Sequence, residues 1–361
     1  MNADKGKKII INFSFSIFFV TTFILLKATS VRAFNIHFDY KYDESANGGN
    51  NFFSGTEGAI RKNTLEQAGQ YYETYINDNL SAIVEDTSSL TGIGYELSDG
   101  SKNTATAFFK NPATGIQTSI VNPTFLENQI TVYAGARDID SLGIGGFGGY
   151  NQISGTSSFV NLVKGRGQTG ALTNPVTDIG LWGGSIAFDN NITVGSKTYN
   201  WHNESDITGL ESNEYDFLSV AIHEIGHVLG ISTADSWKNQ VSGTDFTGIN
   251  SITAYNQANN PDVSAIPLYT DESHWQDGTE GLTLQGIKQE AALDPIITSG
   301  QRKMLTNLDY AGLADVGWDV DPDAIDVNVP FEFSPSLGIV LSCSIFGWLS
   351  IKNKLKKAAS E

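Results

Sequence analysis

The chain has 361 residues, of which 40% are hydrophobic and 17% charged, a composition that suits a globular protein and excludes a disordered one. Its formal net charge of −18 disfavours binding to nucleic acids or to anionic membrane surfaces. The single cysteine, Cys343, lies near the C-terminus, so the preceding residues must be stabilised by a core rather than by disulfide bonds.

Residues 1–33 have the pattern of a secretory signal peptide. Three lysines precede an apolar run from Ile9 to Leu26, and Val31-Arg32-Ala33 offers small residues at the cleavage positions. The pattern predicts export, with Phe34 as the first residue of the mature protein. An N-terminal membrane anchor is the alternative, because the apolar run approaches the length of a bilayer span.

Residues 34–320 are predicted to form one α+β domain with a mixed, twisted sheet. Apolar residues on one face predict a helix through Leu65, Ala68 and Tyr72. Runs of apolar and alternating residues predict strands at 35–40, 81–85, 129–133, 179–188 and 198–202.

Two parts of this domain leave alternatives open. Residues 34–130 are either a cleaved pro-segment or the first part of the domain. The glycine-dense segment from Gly143 to Gly155 is predicted to be a surface loop, and residues 186–188 are a candidate edge strand for binding an extended substrate.

A buried helix is predicted between Asn213 and Gly230. Asn213 is the expected N-cap, apolar residues surround most of the helix, and Gly230 can end it. His223 and His227 are conspicuous in such an apolar setting.

These two histidines belong to the sequence His223-Glu224-Ile225-Gly226-His227. Histidines four positions apart lie one turn apart on the same helical face, so both imidazoles can bind one metal ion. Glu224 can reach a water on that metal and accept its proton during attack on a peptide carbonyl. The motif predicts a zinc hydrolase, and the alternative is a decayed scaffold with two satisfied core histidines.

Residues 215–320 resemble the leishmanolysin-like branch of the metzincin metallopeptidases. Gly230 matches the glycine that follows the motif, whereas Thr233 stands where compact metzincins have the third histidine. In the leishmanolysin branch an insertion precedes that histidine, and Ser273-His274-Trp275 resembles its motif. The resemblance implies a metzincin-like catalytic domain, with zinc bound by His223, His227 and His274.

The resemblance continues after the third histidine. Asp294-Pro295 resembles the turn beneath the metal, and residues 305–318 resemble the C-terminal helix that closes the catalytic domain. Leu293 stands where the family has methionine. Leucine has a similar volume, so the fold is expected to tolerate it.

Several other polar residues are less strongly indicated as parts of the site. His37 is expected to be structural, and His202 is expected at the rim of the site or, alternatively, as a ligand. Asp235 is an alternative metal ligand. Asp271 and Glu272 are expected either to orient His274 through hydrogen bonds or to be solvated loop residues.

The C-terminal residues are predicted to comprise a linker and sorting motif (321–335), then a transmembrane segment with a basic tail (336–361). Pro330-Phe331-Glu332-Phe333-Ser334-Pro335 precedes a short apolar stretch and four lysines. This arrangement resembles the PEP-CTERM sorting signal, which implies an exosortase-like sorting enzyme as a partner. A simple membrane anchor is the alternative.

Together these patterns predict an exported zinc endopeptidase that acts on proteins or peptides at the cell surface and contacts the membrane only through its C-terminal segment. Two alternatives remain: an inactive zincin-fold adhesion or matrix protein, and a zinc amidase acting on non-peptide amides. Ca²⁺ is a second candidate cofactor, because acidic loops of exported proteins often bind it.

Overall fold

The computed structural model describes residues 34–259 and 262–327. The predicted signal peptide, sorting motif and C-terminal transmembrane segment lie outside these ranges. Among the residues inside them, no helix is both long enough and apolar enough to cross a membrane.

The described residues contain seven α-helices: α1 (Gly55–Glu73), α2 (Ser157–Gly165), α3 (Phe217–Val228), α4 (Asp235–Lys238), α5 (Ile249–Asn259), α6 (Asn307–Val316) and α7 (Pro322–Ile325). The last of these falls in the segment predicted as the start of the linker, and its Ala324 is buried in the main core.

The same residues contain sixteen strands: β1 (Asn35–Asp39), β2 (Thr104–Lys110), β3 (Gln117–Val121), β4 (Gln129–Arg137), β5 (Gly143–Phe147), β6 (Gly149–Ser154), β7 (Gly183–Asp189), β8 (Thr193–Val194), β9 (Lys197–Thr198), β10 (Asn200–His202), β11 (Glu214–Asp216), β12 (Val241–Ser242), β13 (Asp245–Phe246), β14 (Ile266–Pro267), β15 (Glu280–Leu282) and β16 (Lys288–Glu290). The helices are combined with several small sheets, most of them antiparallel, which agrees with the predicted α+β class.

The central sheet has four strands in the order β1-β4-β7-β5. β1, β4 and β7 run parallel, and β5 runs antiparallel to β7 at the edge of the sheet. β7 contains residues 186–188 and is an inner strand, so the expectation that these residues form a free edge is wrong. The edge on this side of the sheet is β5, because the glycine-dense segment pairs with β7.

Two cores lie on opposite sides of this sheet. Alternation along β4 directs Val132 and Ala134 into the main core, which also contains apolar residues of α1, α3 and α6. Tyr133 points the other way and stacks on Phe109 of β2, with ring centroids 4.4 Å apart. β2 belongs to a three-stranded antiparallel sheet in the order β3-β2-β6.

Residues 34–130 share the main core with the candidate site. They supply β1, which pairs with β4, and α1, which packs against α3. The hydroxyl of Tyr72 in α1 donates a hydrogen bond to the carbonyl oxygen of Ile222 in α3, at 2.7 Å. This segment therefore supports the helix that carries the histidines.

Three local predictions differ from the structure. The segment from Gly143 to Gly155 forms β5 and β6 rather than a loop, because pairing with β7 and β2 outweighs the low strand propensity of glycine. Residues 81–85 make only isolated bridges. Helix α3 is capped by Asp216, not Asn213, because the Asp216 carboxylate accepts the N–H of Ser219 at 3.0 Å.

The chain between Gly230 and His274 contains α4, the sheet β12-β13-β14 and α5, and its Trp237 and Phe246 belong to the main core. Trp237 stacks on Phe246, with ring centroids 4.0 Å apart. Asp315 of α6 accepts the backbone N–H of Ser251 at the start of α5, at 2.8 Å. These contacts hold the insertion (residues 231–273) in place, so that the chain after it lies close to α3.

Candidate metal centre

Three histidines meet beside the C-terminal half of α3. His223 and His227 lie one helical turn apart, and His274 approaches them from the segment between β14 and β15. Their Nε2 atoms form a triangle with sides of 3.0 Å (His223 to His227), 3.1 Å (His227 to His274) and 3.2 Å (His223 to His274). The structure therefore brings together the three predicted ligands.

The other ring nitrogen of each histidine faces a hydrogen-bond acceptor. The Nδ1 of His223 lies 2.7 Å from the carbonyl oxygen of Ala292, and that of His227 lies 3.2 Å from the carbonyl oxygen of Ile231. The Nδ1 of His274 lies 2.8 Å from a carboxylate oxygen of Asp271. Carbonyl and carboxylate oxygens only accept, so Nδ1 of His223 and of His274 carries a hydrogen, whereas Nδ1 of His227 also lies 3.0 Å from the hydroxyl of Ser232, which can accept or donate.

A neutral imidazole with its hydrogen on Nδ1 has its lone pair on Nε2. Three Nε2 atoms in this form would repel one another at these distances, and a bound cation would relieve the repulsion. Nitrogen atoms bound to zinc at 2.0–2.1 Å in a tetrahedral site are about 3.3 Å apart, close to the observed separations. The donor set thus fits a divalent metal ion and leaves a fourth position free, as catalytic sites require.

The protonation of these histidines also favours metal binding. Burial, and then the nearby imidazoles of His227 and His274, hold the pKa of His223 well below its ordinary value. Burial lowers the pKa of His227 to about 4. Both rings are therefore neutral at pH 7, the form that binds a metal ion.

Glu224 is buried beside these ligands and lines the same cavity. Burial raises the pKa of its carboxyl group to about 8, and the backbone N–H of Gly145 in β5 donates a hydrogen bond that partly opposes this rise. A buried carboxyl group with so high a pKa is typical of functional sites.

The turn at residues 291–294 lies beneath the histidines. Its Ala292 carbonyl accepts from His223, and Leu293 is fully buried against Gly226 of the motif. The carboxylate of Asp309 in α6 accepts the N–H groups of Ala292 and Leu293 at 2.9 and 3.1 Å. Asp309 therefore ties this turn to α6.

The cavity over the histidines has a volume of about 630 Å³. Its walls are α3, the start of β5, and the chain that follows the turn, including Pro295, Ile296 and Ile297. The side chain of Ile144 in β5 is half exposed at the rim. The cavity is large enough for part of an extended chain with one or two side chains.

The remaining predicted candidates lie away from the three histidines. His202 is buried, and its Nε2 lies 2.7 Å from the carbonyl oxygen of Asp206. His37 occupies an exposed position of β1. The Asp235 side chain is 77% exposed and lies 3.8 Å from Lys238. Among the described residues, the three histidines are the only group arranged to hold a metal ion, so the calcium expectation stays a prediction.

Sequence reasoning identified Asp271 but missed Asp309. The Asp271 contact with His274 confirms one of the two expected orienting residues, whereas Glu272 is exposed. Asp309 carries a signal that could have been recognised, since Thr306 and Asp309 form a capping box at the start of α6. Its bonds to the turn at 291–294 have no such local signature.

Comparisons of the chain with protein-family models, with curated proteins and with solved structures found no match.

Proposed function

We propose that this protein is an exported zinc-dependent endopeptidase with a metzincin-like catalytic domain. His223, His227 and His274 would bind zinc, and Glu224 would be the general base. The observation that carries the proposal is the convergence of three histidine Nε2 atoms, 3.0–3.2 Å apart, beside a buried carboxyl group. A scaffold without catalytic function would need no carboxyl group at this position.

Zinc bound at such a site lowers the pKa of its bound water and polarises the carbonyl group under attack. Glu224 accepts a proton from the attacking water and transfers it to the leaving amine. A nearby cation favours the ionised form of Glu224, which is the form that a general base requires. The Gly145 N–H holds this carboxylate in place.

An extended peptide fits the surroundings of the site. β5 is the edge strand of the central sheet and borders the cavity, so a substrate can add to it as a further strand. The apolar wall at Ile296 and Ile297 would then contact a substrate side chain. The signal peptide and the PEP-CTERM-like tail would deliver the enzyme to the cell surface, with an exosortase-like enzyme as sorting partner.

The experiment measures zinc content and casein cleavage by the purified protein and by its Glu224→Gln variant. We expect about one zinc per chain in both proteins, and a loss of cleavage in the variant of about 10²–10⁴-fold. Zinc binding without casein cleavage would contradict the endopeptidase. Hydrolysis of peptidoglycan amides would then indicate the amidase. A lack of activity towards both casein and peptidoglycan would indicate the adhesion scaffold. Absence of zinc would contradict the ligand assignment.

A further inference from the structure

Strand β5 packs directly on the middle of helix α3 and covers Glu224. A Cβ atom built on Gly143 would lie 2.6 Å from Oε1, 2.7 Å from Cγ and 2.9 Å from Cδ of Glu224. These distances are shorter than real side-chain contacts. The Glu224 side chain therefore fills the space that a side chain at position 143 would need.

The next glycines of β5 have different surroundings. A Cβ atom on Gly145 would lie 2.2 Å from the backbone carbonyl oxygen of Glu224, whereas one on Gly146 would meet nothing within 4 Å. None of the three glycines has a φ in the left-handed region. Their backbone conformation is thus open to alanine, and what distinguishes them is the neighbour each one faces.

β5 has little freedom to move away from α3. The carbonyl oxygen of Leu142 accepts the N–H of Asp189 at 3.0 Å, and β5 pairs with β7 from Gly143 to Phe147. Gly143 is also paired with Phe188 of β7. A side chain added at position 143 would therefore displace Glu224 rather than the strand.

We propose that Gly143 is a positioning residue for Glu224. The missing side chain at position 143 creates the cleft in which the carboxyl group lies, and the Gly145 N–H fixes the carboxyl group there. The catalytic consequence rests on the proposed function, whereas the packing between the two residues does not. The glycine-dense segment is in this reading part of the site rather than a flexible connection.

The first test is a double-mutant cycle on the melting temperature of the full-length, metal-free protein. We expect Gly143→Ala to lower the melting temperature by several degrees in the wild-type background. The same change should have no effect in the Glu224→Ala background, because the Glu224 atoms in its way are absent. If Gly143→Ala alone fails to fold, recovery of folded protein on adding Glu224→Ala supports the proposal equally.

Two neighbouring changes are matched controls for this cycle. Gly145→Ala should lower the melting temperature in both backgrounds, because it meets the backbone of Glu224, which the Glu224→Ala change leaves in place. Gly146→Ala should leave the melting temperature unchanged in both the wild-type and the Glu224→Ala background. If Gly143→Ala lowers the melting temperature equally in both backgrounds, or lowers it in neither, the proposal is overturned.

The second test measures zinc content, kcat and KM of Gly143→Ala. We expect zinc content to be unchanged and kcat to fall about 10²-fold, with a much smaller change in KM, since only the general base is displaced. A wild-type kcat in this variant overturns the proposal. If the wild-type protein itself cleaves nothing, the proposed function fails, and the stability cycle still decides whether Gly143 positions Glu224.

Discussion

Asp271 holds His274, the one proposed metal ligand that comes from outside α3. Its carboxylate accepts from Nδ1 of His274 at 2.8 Å, and its other oxygen accepts the backbone N–H of Ser273 at the same distance. Partners of this kind fix the tautomer of a ligand and increase its basicity.

We therefore predict that Asp271→Asn weakens zinc binding about tenfold, because the acceptor loses its charge while keeping its shape. Competition with a fluorescent chelator measures the dissociation constant. Asp235→Asn is the matched control, since it changes an exposed carboxylate with no contact to the histidines. Equal affinities for Asp271→Asn and the control would show that Asp271 does not support the site.

Asp78 is a buried acid remote from the histidines. Burial raises its pKa to about 7, and the nearby carboxylates of Asp178 and Asp319 add to this rise. The N–H of Asp319 donates a hydrogen bond to it at 2.6 Å. The folded protein therefore holds a proton here that the unfolded chain loses near pH 4.

The sign of the pH effect follows from that difference. The stability associated with protonated Asp78 is full below about pH 4 and is lost as the pH rises to about 7. We predict that Asp78→Asn, which stays neutral, becomes progressively more stable relative to the wild type between about pH 4 and about pH 7. A pKa difference of one corresponds to about 1.4 kcal/mol. Chemical denaturation at several pH values measures this, with exposed Asp277→Asn as the control. A pH-independent difference would contradict the assignment.

At the scale of the elements, helix α6 supports the metal centre without supplying a ligand. Its Asp309 carboxylate accepts from Ala292, Leu293 and Thr306, and from the indole N–H of Trp275 at 3.2 Å. Ala292 in turn bonds to His223, and Trp275 adjoins His274. One buried carboxylate thus connects α6 to two of the three ligands.

We predict that Asp309→Asn lowers the free energy of unfolding by about 2–4 kcal/mol, because several buried N–H groups lose a charged acceptor. Zinc affinity should fall as well, since the turn bonded to His223 loosens. Urea denaturation and chelator competition measure the two effects. Asp323→Asn, an exposed change in the first turn of α7, should alter stability by less than about 0.5 kcal/mol. A similarly small change for Asp309→Asn would contradict the role given to α6.

The largest error in predicting the elements concerned the glycine-dense segment. Glycine has a low strand propensity, so a segment rich in glycine is predicted to be a loop. Gly143, Gly145 and Gly146 also have no side chains, so the segment lacks the alternation of apolar and polar residues that indicates a strand. Their strand depends on pairing with β7, some forty residues later in the sequence. The start of α3 was misplaced for a more local reason, because both Asn213 and Asp216 are good N-cap residues.

At the scale of the whole molecule, the metal site joins parts of the chain that are distant in sequence. His223 and His227 lie on α3, and His274 follows the complete insertion. A ligand that binds only the folded state stabilises it, by about 2.7 kcal/mol at one hundred times its dissociation constant. Zinc should therefore stabilise the insertion together with the helix.

We predict that zinc raises the melting temperature and that a chelator reverses the rise. His274→Ala should abolish most of the increase, whereas His202→Ala should retain it, because His202 bonds to Asp206 and lies outside the histidine triangle. Differential scanning calorimetry with and without zinc measures the effect. Retention of the zinc shift in His274→Ala, together with its loss in His202→Ala, would falsify the assignment of the third ligand.

The sequence by itself determined the features that depend on neighbouring residues. The spacing of His223 and His227 places both on one face of a helix wherever that helix lies, and Gly230 can end the helix through its φ of 106°. The presence of both helical and strand patterns in one domain was also readable from the sequence. His274 was identified only through a family resemblance, since nothing in its own surroundings marks it as a ligand.

The tertiary structure alone decided which distant groups meet. The approach of His274 to α3, the bonds from Asp309 to the turn at 291–294, and the position of β5 over Glu224 all join residues far apart in the sequence. Such contacts depend on the packing of the complete core, in which each element is placed by several others. Local patterns carry information about conformation and burial, but they do not specify which buried surfaces will face each other.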